Sequence, residues 1–274
     1  SESGKVVNRA LVMRNGDDEN FQEYAHQGKI QANKDLSIVA HKDIDNIGSV
    51  ISGKNSARLE SIEGNINLES IKLRSKSTER EIDNQVFHSR NKTVIEASEE
   101  ALTSAVSGGR NGLSLTAKKG NINNRAASLK TSGGDINIDA ENYYSAALDL
   151  ESTRKEDTMF VGLGLDRVGF EKSSSDEKIT QGVGSSVQTK GGNFNLKLKN
   201  SAYFEGGSID TGDGDMVIRG AKEVDFVAAK TEREYHEESY SVGLRAGASA
   251  GIAGYKAGAS IDTGKGEYTA GTEA

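Results

Sequence analysis

The chain contains no cysteine, no proline and no tryptophan in its 274 residues. Without cysteine it has neither disulfide bonds nor thiolate metal ligands. Without proline, no residue of a strand lacks the N–H that a β-ladder needs, so long ladders are permitted. The sequence also has no apolar run as long as a membrane-spanning helix. These absences favour extended β-structure over a disulfide-linked domain or a membrane helix.

Large apolar side chains are scarce. Only 34% of the residues are hydrophobic and 5% aromatic, whereas 32 are glycine. A globular domain of this length usually fills a deep core with more apolar side chains, but a solenoid needs only a thin apolar lumen. Disorder is the competing interpretation of this composition, although the apolar residues occur in short alternating runs. The composition therefore favours a thin, repetitive β-structure.

The formal net charge is −7, and the calculated isoelectric point is about 5.3. An anionic surface repels a phosphate backbone, and so we expect no nucleic-acid partner.

A short motif recurs along the chain. Residues 128–138 read SLKTSGGDINI, residues 186–196 read SVQTKGGNFNL, and residues 208–218 read SIDTGDGDMVI. The heptad SIDTGDG at 208 returns as SIDTGKG at 260–266. Each copy has an apolar residue two positions before a threonine and then a glycine-rich turn, and in the three longer copies a new strand follows. A fixed motif of this kind is typical of solenoids.

The repeat also sets a coil length. Gly112 and Gly134 are 22 positions apart, and so are Gly192 and Gly214. Two or three strands of four to six residues with glycine, asparagine or aspartate turns make one β-helix coil. We therefore predict an all-β fold, a right-handed parallel β-helix (a β-solenoid) of about 22 residues per coil. Equivalent inward side chains should stack in two columns, Ile136, Phe194 and Met216, and Ile138, Leu196 and Ile218.

A longer period is superposed on the coils. The segments LRSKSTERE, LESTRKEDT and VAAKTEREY begin at residues 73, 150 and 227, which are 77 positions apart each time. Each segment opens a charged stretch that leaves the repeat. We expect one β-helix segment of a larger protein over residues 1–274, with β-hairpin arms that protrude at about 79–107, 153–185 and 231–259.

The second and third arms alternate small and apolar residues, from Val161 to Phe170 and from Tyr240 to Ile261. Such alternation around a short polar turn predicts a hairpin, and we place the turn of the second arm at Asp166–Arg167. The first arm is more charged and contains no glycine. It is either a hairpin that turns near 90–92 or a helix.

These motifs resemble the haemagglutinin repeats of two-partner-secretion exoproteins, a family that includes filamentous haemagglutinins and contact-dependent growth-inhibition proteins. The resemblance rests on GGDINIDA at 133–140, GGNFNLKLKN at 191–200 and the segment 212–234, with SVGL at 241. It is clear over about 110–266 and looser over 28–78, and the segment 79–107 departs from it.

The resemblance implies a secreted filament at the surface of a Gram-negative bacterium. It would be threaded through an outer-membrane secretion partner, which contacts parts of the protein outside this sequence. It also implies a role in virulence and no catalytic residues. We accordingly expect no enzyme activity and no catalytic, cofactor-binding or metal-binding residues.

Several residues could nevertheless carry chemistry. The four histidines, His26, His41, His88 and His236, have no metal-ligand spacing and no zinc-protease pattern. The aspartates around Gly212 and Gly214, which are Asp210, Asp213 and Asp215, are explained by turn chemistry and match neither calcium-binding repeat. Gly162-Leu163-Gly164 lacks the third glycine of a dinucleotide site, and Asn91-Lys92-Thr93 is a glycosylation sequon without significance in a bacterial chain.

Three functions remain open. The first is a structural stalk or adhesin segment that makes cell–cell or host contact. In the second, a growth-inhibition segment, the alternating arms help a toxin to cross a target outer membrane, since membrane hairpins use strands of about 9–11 residues. Alternatively the arms fold back over the β-helix or pair with a neighbouring stalk. The third function is a polysaccharide-acting β-helix enzyme, for which an acidic row across coils would serve, made of Asp135, Asp139, Asp210 and Asp215.

Overall fold

A computed structural model describes residues 4–163, 167–251 and 254–273. In this part of the chain all regular structure is β-strand. In chain order the strands are β1 (Val6–Arg9), β2 (Leu11–Gly16), β3 (Phe21–His26), β4 (Lys29–Ala32), β5 (Asp35–Ala40), β6 (Ile44–Ile47), β7 (Val50–Gly53), β8 (Ser56–Ser61), β9 (Ile66–Glu69), β10 (Ile71–Gln85), β11 (His88–Leu102), β12 (Ala105–Ser107), β13 (Leu113–Ala117), β14 (Ile122–Arg125), β15 (Ser128–Lys130), β16 (Ile136–Ala146), β17 (Leu148–Leu163), β18 (Arg167–Val183), β19 (Ser186–Gln188), β20 (Phe194–Glu205), β21 (Ser208–Asp210), β22 (Met216–Arg219), β23 (Glu223–Val227), β24 (Thr231–Gly251) and β25 (Gly254–Glu273). None of the described residues forms a helix long and apolar enough to cross a membrane.

The short strands pair in parallel at a regular sequence offset. Asp45 of β6 lies opposite Asn67 of β9, 22 positions later, and their side chains hydrogen bond at 2.8 Å. Asn67 lies opposite Asn123 of β14, 56 positions later, because the long strands β10 and β11 are inserted between them. The chain therefore winds repeatedly over itself, as in a solenoid, and an insertion leaves the register of the winding unchanged.

Each winding consists of three strand segments, which we call its first, second and third strand. The first strands (β4, β7, β12, β15, β19 and β21) form one parallel sheet. The second and third strands form another, in which the long strands β16 and β20 each supply both segments of a winding. The all-β, largely parallel and solenoid-like architecture agrees with the fold class predicted from the repeat.

The predicted side-chain columns are confirmed. Ile136 lies opposite Phe194, and Phe194 lies opposite Met216. The second column follows one pleat further along, with Ile138 opposite Leu196. The motif copies at 128, 186 and 208 are therefore equivalent corners of successive windings.

The inward side chains form one continuous apolar core along the solenoid. The largest fully buried members are Tyr143, Phe194, Ile44, Ile51, Leu59, Ile66, Leu68, Leu113, Leu115, Ile122, Leu129 and Ile136. Each such side chain contributes about 1.5–3 kcal/mol by leaving water. Inward apolar side chains of the first and last windings, such as Ile30 and Met216, are only partly buried, because these windings have a neighbour on one side only.

The threonine of the motif closes the corner between first and second strand. The hydroxyl of Thr211 donates to the carbonyl of Gly214 at 2.7 Å, and Thr131 and Thr189 make the equivalent bond. The corner is also crowded, since a Cβ on Gly192 would lie 2.3 Å from the Gly134 carbonyl oxygen of the adjacent winding. Only glycine fits there.

One copy of the motif does not adopt this structure. Residues 260–266 were expected to repeat the corner at 208, but they lie within β25 and pair antiparallel with β24. Their sequence is the same in six of seven positions, so the pairing partner rather than the local sequence determines the conformation there.

The long strands form a separate antiparallel sheet in the order β2-β3-β10-β11-β17-β18-β24-β25. It consists of four antiparallel pairs in the described part of the chain: β2–β3, β10–β11, β17–β18 and β24–β25. The last three occupy 71–102, 148–183 and 231–273, where the sequence predicts arms at about 79–107, 153–185 and 231–259. The sequence analysis did not anticipate the first pair.

The first predicted arm is a β-hairpin, but its predicted turn near 90–92 is wrong. The chain turns at 86–87, so that Asp83 lies opposite Arg90 and Glu81 lies opposite Lys92. A turn centred on Asn91 would place Arg90 opposite Lys92, and like charges directly opposite destabilise a sheet. Cross-strand charge pairing accounts for the observed register.

Truncation of a column residue should be costly. Leu115→Ala leaves a cavity between two windings, and we expect it to lower the free energy of unfolding by about 2–5 kcal/mol. Ser114→Ala, on the outward side of the same strand, should change it by less than about 0.5 kcal/mol. Urea titration followed by circular dichroism measures both values, and similar losses would contradict an inward Leu115.

Candidate interaction surface

The antiparallel pairs leave the solenoid at one corner, between the third strand of a winding and the first strand of the next. Buried polar side chains fill this corner. Asn46, which is fully buried, donates to the Ser49 carbonyl at 2.8 Å and to the Ser104 hydroxyl at 2.7 Å. Ser70 donates to the Ala126 carbonyl at 2.7 Å. Ser70 and Ser104 flank β10–β11, and so they bond backbone groups where the winding is interrupted.

The next insertion, β17–β18, has an equivalent arrangement. The Ser185 hydroxyl donates to the Asn124 carbonyl at 2.9 Å. The Asn124 amide donates at 3.0 Å to the hydroxyl of Tyr143, which is fully buried. Burial raises the pKa of Tyr143 to about 12, so this phenol is neutral at physiological pH. Buried hydrogen bonds therefore connect the bases of these pairs to the solenoid.

Arginine–glutamate ion pairs join neighbouring antiparallel pairs along the sheet. Arg74 of β10 contacts Glu23 of β3 at 3.2 Å, and Arg154 of β17 contacts Glu96 of β11. At the third junction Arg233 of β24 contacts Glu177 of β18 at 2.5 Å. We call these three contacts the Arg–Glu clamps. They join β3 to β10, β11 to β17 and β18 to β24.

The charged network continues along β17. Lys92 lies 2.8 Å from Glu156, which also contacts Arg154 at 3.2 Å. The Lys92 ammonium, and then Arg154, hold the pKa of Glu156 below its usual range despite some desolvation. The half of the sheet nearest the solenoid is therefore polar and ion-paired.

The far half of the sheet is different. Most of its apolar side chains lie on one face, since residues directly opposite in neighbouring strands share a face, whereas Phe160 lies on the other face near His88. Val161, Phe170 and Val242 form one row across three strands, and Leu163, Val168 and Leu244 form the next. We call the following set the distal apolar face: Ile82, Met159, Val161, Leu163, Val168, Phe170, Tyr240, Val242 and Leu244.

Most of these side chains are open to solvent, whereas Phe170 and Val242 are partly buried. Ile82 is 67% exposed, and Leu163 and Leu244 are each 53% exposed. The opposite face of the same strands is mostly small or polar, with Gly162, Gly169 and Gly243 in one row. An antiparallel sheet with one apolar face normally packs that face against another layer. The distal apolar face lacks such a layer among the described residues, which makes it the candidate contact surface.

The antiparallel sheet does not cover the solenoid. In the described part of the chain, its strands make their extensive contacts with one another rather than with the solenoid strands. This arrangement differs from the expectation that the arms fold back over the solenoid.

The expected acidic row is brought together only in part. Asp135 accepts a hydrogen bond from the Asn193 N–H at 2.7 Å, and Asn193 accepts one from the Asp215 N–H at 2.8 Å. Asp139 lies on another column and pairs with Lys197 at 2.9 Å, in a shallow groove of about 410 Å³. Asp210 bonds the N–H of Gly212 in its own turn at 3.0 Å. These carboxylates thus serve as turn and ladder acceptors.

The histidines lie on separate elements. His26 ends β3, and His41 contacts Glu63 at 3.3 Å. His88 lies 3.5 Å from Asp83, and His236 lies 3.2 Å from Glu238. Among the described residues no three histidine, aspartate or glutamate side chains are grouped to hold a metal ion.

The other sequence candidates lie in the antiparallel sheet. Gly162 and Leu163 belong to β17, Asn91 to Thr93 belong to β11, and the predicted acidic turn residue Asp166 lies outside the described residues together with Gly164. The side chains of 245–264 are not described either, so the structure gives no contacts for Arg245 or Lys256.

Sequence reasoning missed two features of this region. One is the first antiparallel pair, β2–β3, which turns at 17–20 through Asp17, Asp18 and Asn20, residues that favour turns. The other is Ile82, which lies opposite Asn91 and extends the row of Met159 into β10. Its position on the apolar face depends on the turn at 86–87, and the sequence did not place that turn correctly.

A model of the hemagglutinin repeat family matches residues 14–86 and 168–274. The chain belongs to the hemagglutinin repeat family. The resemblance found in the sequence is thereby confirmed, although residues 87–167, which include GGDINIDA, lie outside the matched ranges. The windings at 105–146 nevertheless have the same register as those on either side. Hemagglutinin repeats are structural and adhesive modules rather than an enzyme class. No curated protein and no solved structure matches the chain.

Acid should weaken one interaction of the solenoid surface in particular. Glu60, whose side chain is 7% exposed, lies 2.5 Å from Lys118, and this hydrogen bond, with Arg58, lowers the pKa of Glu60. A lowered folded pKa stabilises the protein above the unfolded pKa of about 4.3, and the gain is lost as pH falls through the folded value. We expect Glu60→Gln to cost about 1–2 kcal/mol at pH 7 and less at pH 3.

Chemical denaturation across this pH range measures the effect. Glu223→Gln is the control, since Glu223 is an exposed carboxylate on β23. A loss for Glu60→Gln that stays constant from pH 7 to pH 3 would show that its ionisation does not stabilise the fold.

Proposed function

We propose that this chain is one segment of a larger two-partner-secretion exoprotein and serves as a surface stalk that carries adhesive arms. The segment is a right-handed parallel β-helix of about 22 residues per coil, and the antiparallel pairs protrude from it. The observation that carries the proposal is the regular recurrence of the same unit, two windings and one antiparallel pair, along a single axis. A repeat that stacks in one direction gains length with every unit.

Membership of the hemagglutinin repeat family supports a secreted location at the bacterial surface and a Gram-negative source. An outer-membrane secretion partner would export the full protein through parts outside this sequence. The net charge of −7 supports a partner other than nucleic acid.

The distal apolar face would make the contact with another cell. It combines exposed aromatic and aliphatic side chains on one face of a sheet, and such exposed patches mark interaction sites. The ion-paired half of the sheet separates this face from the solenoid. In the second candidate function, growth inhibition, the same face would engage the target outer membrane, and the lack of a covering layer among the described residues supports that role too.

Co-sedimentation with outer-membrane vesicles tests the contact. The double variant Val161→Glu and Phe170→Glu places two charges directly opposite each other on the distal apolar face. We expect its binding to fall at least about tenfold, which corresponds to about 1.4 kcal/mol. The matched control is Thr158→Glu with Ser173→Glu, which are also directly opposite but lie on the other face.

Plain liposomes distinguish the two functions. Binding to vesicles but not to liposomes would support adhesion to a surface component, whereas equal binding to both would support membrane engagement. Loss of binding in both double variants, or no vesicle binding by the wild-type protein, would rule out this face as the contact surface.

A further inference from the structure

The antiparallel pairs recur at a fixed interval along the solenoid. They follow the third strands β1, β9, β16 and β23, and two windings separate each from the next. The inserted lengths differ, since β2–β3 has strands of six residues and β24–β25 has strands of about 20 residues. The interval of two windings is therefore constant along the chain, although the inserted pairs differ in length.

Strand spacing explains this interval. Paired strands lie about 4.8 Å apart whether they are parallel or antiparallel. Two windings therefore advance the solenoid by about 9.6 Å, and the two strands of an inserted pair also occupy about 9.6 Å. Each pair has the same axial height as the two windings that carry it, so neighbouring pairs meet at normal strand spacing.

The observed pairing shows that they do meet. The junction β11–β17 runs from His88 opposite Gly162 to Ser98 opposite Ser152, and β18–β24 runs from Arg167 opposite Arg245 to Gln181 opposite Thr231. The junction β3–β10 is short, because β3 ends after six residues.

We infer that the antiparallel sheet is a second ladder along the stalk, which holds the windings at their spacing and stiffens the segment. A pair inserted after every winding would need about 9.6 Å along the solenoid axis, whereas one winding provides only about 4.8 Å. A pair inserted after every third winding would leave about 4.8 Å of unfilled space between neighbouring pairs. Either arrangement would leave the pairs as separate hairpins, and isolated two-stranded hairpins are marginally stable in water.

The Arg–Glu clamps fit this role. Neighbouring strands of a free sheet rotate by about 20–25° relative to each other, whereas pairs attached to a stacked solenoid are held to a common direction at their bases. Flat sheets of many strands are typically stabilised by specific side-chain ladders. One clamp lies at each of the three described junctions: Arg74 with Glu23, Arg154 with Glu96, and Arg233 with Glu177.

Deletion of one pair in the full chain tests the inference. Removal of 148–183 takes out β17–β18 and brings Ser128 and Ser186 to 22 positions apart, so the solenoid register is retained. By hydrogen–deuterium exchange we expect the amides of β11 and β24 that face the deleted strands to exchange about tenfold faster or more. The solenoid strands should keep their protection.

Deletion of 231–273 is the matched control. It removes only the pair at the end of the sheet and should expose β18, with β11 and β17 unchanged. If β11 and β24 stay as protected without β17–β18 as with it, the pairs are independent arms and the inference is wrong.

A second variant keeps every pair and changes only the interval. A duplicate of residues 186–207, inserted after Gly207, adds one winding between β18 and β24. We expect β18 and β24 to lose mutual protection while β10–β11 is unaffected. Unchanged protection of β18 and β24 would contradict a ladder that depends on the spacing of the windings. Neither result depends on whether the stalk contacts another cell.

Discussion

The hydrogen-bonded spacing of about 4.8 Å between strands is the constraint on which the rest of this structure depends. It fixes the rise of each winding, and it fixes the width of each antiparallel pair. Because both distances are multiples of the same strand spacing, a second sheet can lie alongside the solenoid in matching register without distorting it. The parallel sheets satisfy the backbone of the stalk, and the antiparallel sheet satisfies the backbone of the insertions. In the described part of the chain, every long insertion is thereby paired along the same axis as the windings.

Stacking at this spacing also decides which side chains the sequence can use. Side chains at equivalent inward positions of successive windings pack directly on one another at van der Waals distance. Most of these columns therefore consist of aliphatic and aromatic side chains. Where polar groups are buried, they occur in chains that bond from winding to winding, as Asn8 does to Asn46 at 2.8 Å. Where the backbone itself fills the corner, as at Gly134 and Gly192, a Cβ has no room. The low hydrophobicity of the chain follows from this geometry, because only the thin lumen needs apolar residues.

The repeat of the sequence was sufficient to predict the solenoid and the stacking of Ile136 on Phe194, since both follow from local motifs with a fixed period. The antiparallel sheet was harder to predict. Its registers depend on which residues face each other across the two strands of an insertion, and a short motif does not specify that. The turn at 86–87 follows from charge pairing between β10 and β11, and the heptad at 260 takes its conformation from pairing with β24. The distal apolar face was foreseen as alternating segments in two arms. Its extension to Ile82 depends on the register of β10–β11 and was therefore missed.

Among the described residues, neither half of the antiparallel sheet has a second layer to supply a core, and the two halves are stabilised in different ways. Near the solenoid, cross-strand ion pairs such as Lys155 with Asp176 at 3.3 Å stabilise the strands and remain compatible with water on both faces. Farther out, apolar side chains contact neighbours on the same face, as Phe170 does Tyr240, but Leu163 and Leu244 leave about half of their surface in water. Burial of that surface would contribute a favourable free energy of about 25 cal/mol per Å² of apolar area. In the proposed contact, the free energy of binding would therefore come mainly from the end of the sheet farthest from the solenoid, where a second surface can approach without meeting the windings.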